Sequence, residues 1–175
     1  MPDDRSIASD APSFIDRFST ATGHATAWLT LFMVLVTFVI VVLRYVFHTG
    51  VIWLQETQTW MHAAIFMLGA AYTLQVEEHV RVDIFYRDMS PRRQAWVNIF
   101  GVLLFLLPLC GFLFFESYNY VHAAWQIHEV SGNSGGLPYP AVPLLKSMLL
   151  LMPLTVSLQG LALMLRSWQR VRSGD

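Results

Sequence analysis

Charge is scarce in this sequence. Of its 175 residues only 13% are Asp, Glu, Lys or Arg, and 55% are apolar; a soluble domain carries about 25% charged and about 45–50% apolar residues. A basic excess is missing too: the net charge is −1 and the sequence pI about 6.6, which excludes the global field that holds nucleic acid. With one cysteine, Cys110, neither a disulfide scaffold nor a thiolate zinc cluster can form. A cleavable leader is not expected. Asp3, Asp4, Asp10 and Asp16 oppose a basic n-region, and the first apolar run is too long for an h-region, so the first span should stay as an anchor. The Gly-rich stretch SGNSGG (131–136) lacks the G-K-[ST] ending of a phosphate loop. Of the six histidines only His62 lies clearly inside an apolar run, so the facing pair that a bis-histidine haem needs is absent. No catalytic, cofactor-binding or metal-binding residue is expected, and the chain does not read as an enzyme.

What remains is apolar length. Residues 18–43, 57–76, 94–115 and 147–165 carry no charge at all. Each window is near the ~20 residues that a helix needs to cross ~30 Å of hydrocarbon. Helices buried in a soluble bundle would keep a polar face, and WLTLFMVLVTFVIVVL (28–43) has none. The expectation is an all-α membrane protein forming a single domain over 1–175, with four transmembrane helices near 25–47, 55–76, 94–120 and 144–166. Residues 1–12 read as disordered. Residues 13–18, with Phe14, Ile15 and Phe18 on one face, fit either a short interfacial helix or the start of the first span.

The connections carry the polar groups. A turn near Thr49-Gly50 joins the first two spans, and Trp53 and Trp60 bracket the entry to the second, where amphipathic rings prefer the interface. Ala63 and Ala70, and likewise Ala64 and Ala71, recur at heptad spacing. Such small residues let helix backbones approach in lipid, which marks the second span as an interior helix. Ser90-Pro91 reads as a helix start, Pro108 should kink the third span and Pro153 bend the fourth. Thr37, His62, Thr155 and Ser157 are the polar side chains picked out at the span centres. Hydroxyls there commonly bond carbonyls of their own helix.

Arginine placement sets orientation. Arg5 and Arg17, then Arg81, Arg87, Arg92 and Arg93, then Arg166, Arg170 and Arg172 fall on one side; only Arg44 and Lys146 fall on the other. Both termini and the loop 77–93 should be cytoplasmic, with the loop 121–143 periplasmic. Arg44, Glu56, Glu116 and Lys146 gather near the outer boundary, where they suit ion pairs that fix helix register. Arg44 and Glu56 flank one short turn and are expected to pair, directly or through a partner.

Several short patterns occur in a specific order. Arg44-Tyr45 ends the first span, Trp53 and Glu56 form W-x-x-E, FMLGAAYTL follows at 66–74, and HVRVD runs from His79 to Asp83. Over residues 25–170 the chain resembles the small membrane subunit of TRAP (tripartite ATP-independent periplasmic) transporters, DctQ-type. The resemblance implies residence in the bacterial inner membrane. It also implies a stable complex with a large permease subunit, transient work with a periplasmic substrate-binding protein, contact with membrane lipids, and sodium-coupled uptake of an organic anion, often a carboxylate. It supplies no catalytic residue; Arg44, Trp53, Glu56, His79 and Asp83 match its pattern and read as folding or interface positions. A stand-alone tetraspan channel would need a polar stripe, and an electron-transfer anchor would need paired histidines. The sequence has neither.

Overall fold

The computed structural model describes residues 14–75 and 89–173, and every regular element among them is helical. Helix α1 spans Phe14–Tyr45 and α2 spans Ile52–Gln75. Helix α3, Pro91–Gly101, runs through a π-helical turn, Val102–Leu106, into α4, Leu107–Gln126. Helix α5 spans Ala141–Ser173. Three helices are long and apolar enough to cross a membrane: α1 over Thr20–Tyr45, the continuous Pro91–Gln126 helix, and α5 over Ala141–Arg172. Helix α2 forms where the second span is expected, but Gln55, Glu56, Gln58 and His62 in its first turns lower its hydropathy, and it is not among the three.

The helices outrun the apolar windows. Helix α1 is unbroken from Phe14, so residues 14–18 are the start of the first helix. At about 48 Å it exceeds the ~30 Å of hydrocarbon. Helix α4 continues past Tyr120 to Gln126 and α5 begins at Ala141, which shortens the expected loop 121–143 to residues 127–140. Hydropathy marks where lipid ends; backbone hydrogen bonding carries a helix on into the headgroups and water.

Helix ends follow local chemistry. Pro91 occupies the first position of α3 behind Ser90, whose carbonyl accepts the N–H groups of Arg93 and Gln94 at 2.9 and 3.0 Å. Helix α4 ends in a Schellman motif: Glu129 N–H bonds the Ala124 carbonyl at 3.0 Å and His128 N–H bonds that of Trp125 at 3.3 Å. The left-handed residue there is His128, φ 50°, and His48, φ 52°, plays the same part after α1. The turn between α1 and α2 therefore reverses at His48 rather than at Gly50. The π turn sits immediately before Pro108. Proline offers no N–H and its ring crowds the carbonyl four residues back. The chain widens there, and Leu107 N–H reaches the Val102 carbonyl. Pro153 is buried inside α5, which stays continuous across it.

Packing places α5 against both α2 and the α3–α4 helix, with α1 laid along α2. Ala71 and Leu74 of α2, Val102, Cys110 of α4, and Val156 and Leu163 of α5 make the buried cluster. Ala64 and Ala71 are 1% and 2% exposed, the close-packed face that their spacing implies. Glycine permits two further approaches. A Cβ on Gly23 of α1 would fall 2.5–2.8 Å from the Tyr72 ring of α2, and one on Gly160 of α5 would fall 2.8 Å from Leu106 Cδ2. The Thr37 hydroxyl donates to the Met33 carbonyl at 2.7 Å, and Thr155 donates to those of Leu151 and Met152, so both serve their own helix. Gln159, which the reading of the span centres passed over, is the most buried polar side chain, at 0% exposure. No buried side-chain nitrogen or oxygen among the described residues lacks a hydrogen-bond partner. Outward faces are largely apolar: Trp28, Phe38, Phe66, Phe105, Phe115 and Leu165 are all 60% or more exposed. In water this would be untenable; against lipid or a membrane partner it is the expected surface.

Candidate functional site

Polar chemistry concentrates where α2, α4 and α5 meet the 127–140 loop. Glu56, near the start of α2, accepts three hydrogen bonds. Its Oε1 takes the Ser131 hydroxyl in a short contact and the Asn133 side-chain amide at 2.9 Å, while Oε2 takes the Leu137 N–H at 2.7 Å. The loop is shaped for this. Ser131 Oγ also accepts the Asn133 N–H at 3.1 Å, and Gly136 N–H bonds the Asn133 carbonyl at 3.0 Å. Gly135 has φ +79°, and a Cβ on Gly136 would lie 2.7 Å from Glu56 Oε1. The Gly-rich stretch is thus a turn folded around a carboxylate, with donors converging on the anion.

Beside it, Lys146 of α5 meets Glu129 at 2.5 Å and lies over the Tyr120 ring, 3.9 Å from its centroid. Two indoles tie the loop-proximal ends of the helices together. Trp125 Nε1 donates to Ser147 Oγ at 2.9 Å, and Trp60 Nε1 to the Ala141 carbonyl at 3.3 Å. Tyr139 packs against Trp125 and His128 with centroids 6.2 and 5.0 Å apart. A cavity of about 400 Å³ opens between these groups, lined by Glu56, Thr59, Trp60, Glu129, Ser131 and Asn133 among others. Among the described residues no group of three or more His, Cys, Asp and Glu side chains is arranged to hold a metal ion. The arrangement is a clasp: it closes the 127–140 loop over the helix ends and holds it with charge-assisted bonds.

The sequence-selected residues divide accordingly. Glu56 and Lys146 both enter the clasp, each with a partner on the loop. Arg44 is exposed at the end of α1 and is not among the partners of Glu56, so the expected direct pair gives way to the loop donors. Trp53 is 52% exposed at the start of α2. Glu116 is exposed on α4, away from the clasp. His79 and Asp83 lie outside the described residues. Glu129, Ser131, Asn133 and Leu137 were missed. A run of Ser, Asn and Gly donors opposite one isolated carboxylate was the available signal, but 75 or more positions of chain separate them.

Since Lys146 and Glu129 side chains are 15% and 28% exposed, their pair is partly desolvated. In a double-mutant cycle, Lys146→Met and Glu129→Gln should show a coupling of about 0.5–3 kcal/mol in thermal or denaturant unfolding of the purified protein. Strictly additive losses would mean that the pair holds nothing.

A helical bundle with apolar outward faces, close-packed small residues inside, and its polar network at one end defines an integral membrane subunit built around helix packing. Residues 33–172 match the model of the family described as tripartite ATP-independent periplasmic transporters, DctQ component, and the chain belongs to that family: it is a small permease component of a TRAP transporter. It is 26% identical over 102 residues to the sialic acid TRAP transporter permease protein SiaT of Haemophilus influenzae (strain 86-028NP), covering 58% of this chain and 17% of that protein. It is 28% identical over 90 residues to the C4-dicarboxylate TRAP transporter small permease protein DctQ of Vibrio cholerae serotype O1 (strain ATCC 39315 / El Tor Inaba N16961), covering 51% of this chain and 38% of that one. The matches thus span well under half the length of either relative. No solved structure matches the chain.

Proposed function

We propose that this subunit packs against a large permease subunit in the bacterial inner membrane and supports sodium-coupled, binding-protein-dependent uptake of an organic anion, a carboxylate. The family match across the helical bundle, residues 33–172, carries this reading. The names of both relatives specify acids, and in one of them the matched segment is 17% of a longer permease protein, which favours lasting association with a larger permease. In this reading α2 crosses the membrane as the fourth span. Its 24 residues reach about 36 Å, enough for ~30 Å of hydrocarbon, and the clasp covers the polar first turns. The arginine distribution then puts both termini and the 77–93 loop in the cytoplasm, and the clasp on the periplasmic side, where a loaded binding protein would arrive.

The test is reconstitution into proteoliposomes under an inward sodium gradient. Uptake of labelled carboxylate should require this subunit, the large subunit and the loaded binding protein together. Uptake by this chain alone would overturn the accessory role.

A further inference from the structure

Glu116 stands apart from the clasp. It lies exposed on α4, and among the described residues it has no hydrogen bond, ion pair or electrostatic partner. Two contacts set its depth. Trp96 of α3 meets Trp168 of α5, centroids 6.3 Å apart, and Trp125 of α4 bonds Ser147 of α5. Lys146 and Arg166 bound the apolar run of α5, about 30 Å apart at 1.5 Å per residue. Counted from either contact at that rise, Glu116 falls between about 3 and 15 Å inside the Lys146 level. Its neighbours on the same outward side are Phe112 and Phe115, 62% and 75% exposed, with exposed Asn119 one turn toward the clasp.

A carboxylate at this depth is costly toward lipid, and such groups turn to protein and pair. Here the helix turns it away from α5. A glutamate stem is too short to carry the charge as far as lysine or arginine can. The missing element is a cation brought by another membrane chain, with aromatic rings ready to exclude water around it. We infer that α4 docks through Glu116 onto a lysine or arginine of the large permease subunit, flanked by Phe112 and Phe115. This rests on the small-subunit reading above and names the face that it uses.

The experiment uses both subunits co-expressed in native membranes. A benzophenone-bearing phenylalanine analogue in place of Asn119 should cross-link to the large subunit. After solubilisation, Glu116→Gln should retain about tenfold less large subunit than the unaltered chain, and Glu116→Lys less still. Glu116→Gln should leave the melting temperature of the isolated chain unchanged, since no partner among the described residues is lost. Adducts only with lipid or with a second copy, or full retention by both variants, would overturn the docking face while leaving the small-subunit reading intact. Failure of the unaltered chain to retain any large subunit would overturn both.

Discussion

Glu56→Ala should open the 127–140 loop, making it sensitive to proteinase K in protein whose loops are accessible on both faces of the membrane, while the helices stay protected. The argument is one of donors. Ser131 Oγ, Asn133 Nδ2 and Leu137 N–H all point at one carboxylate, and alanine leaves the three without their acceptor. Donors deprived of an acceptor lose more than the modest net value of a hydrogen bond. Glu56→Gln is the sharper variant. Every partner donates, so an amide must turn its NH2 toward a donor whichever way it is placed. Glutamine should therefore rescue the loop only in part, although its size and shape match. Cleavage and amide exchange should rise several-fold in Ala and to an intermediate level in Gln, because cleavage follows the population of the open loop. Equal protection in all three proteins would show that the carboxylate does not hold the loop.

Gly23→Ala should destabilise the protein, against the usual direction for such a change. In a helix interior alanine is favoured over glycine by about 0.8–1 kcal/mol. Here the new Cβ would stand 2.5–2.8 Å from three atoms of the Tyr72 ring, Cγ among them, and the ring root cannot swing clear without moving α1 from α2. Overpacking of this kind costs about 1–3 kcal/mol, which exceeds the propensity gain. Gly111 in α4 is the internal control: nothing lies within 4 Å of its Cβ position, so Gly111→Ala should stabilise by up to about 1 kcal/mol. Thermal unfolding in detergent should move the two melting temperatures in opposite directions. Combining Gly23→Ala with Tyr72→Ala should recover part of the loss. A stabilised Gly23→Ala would mean that α1 and α2 do not approach at this point.

The positions of the helices were legible because lipid imposes a coarse rule on sequence: charge-free windows of about one membrane thickness. The interior face of α2 was legible for a similar reason, since Ala64 and Ala71 repeat at the period of a packed helix. The Ser90-Pro91 start was a local signal and behaved as one. Four features were not legible, each for its own reason. Helix ends ran past the apolar windows because backbone hydrogen bonding is indifferent to where lipid stops. A direct pair of Arg44 with Glu56 was expected from nearness in sequence, whereas the hydrogen-bond donors to Glu56 come from a distant loop. Pro108 was expected to kink the helix; the wider, π turn at Val102–Leu106 just before it is a feature that the proline alone did not announce. Gln159 passed unnoticed because a single amide hardly alters an apolar window, although it is buried and satisfied.

That wider turn also resets the phase of the helix. Before it, Ala95, Ile99 and Val102 face the interior; after it, Cys110, Val121 and Ala124 do. From Val102 to Cys110 is eight positions, somewhat more than two ordinary turns, and in an unbroken α-helix the excess would rotate the following half by about 80°. The π turn absorbs it, much as a spacer absorbs a length mismatch, and π turns in general carry one residue more than the α turns they replace. The segment 102–106 is therefore where this helix tolerates a change of one residue in length. A deletion there returns the chain to plain α-helix with both halves still facing α5, whereas the same deletion between Cys110 and Val121 would turn the clasp end of α4 away from its partners.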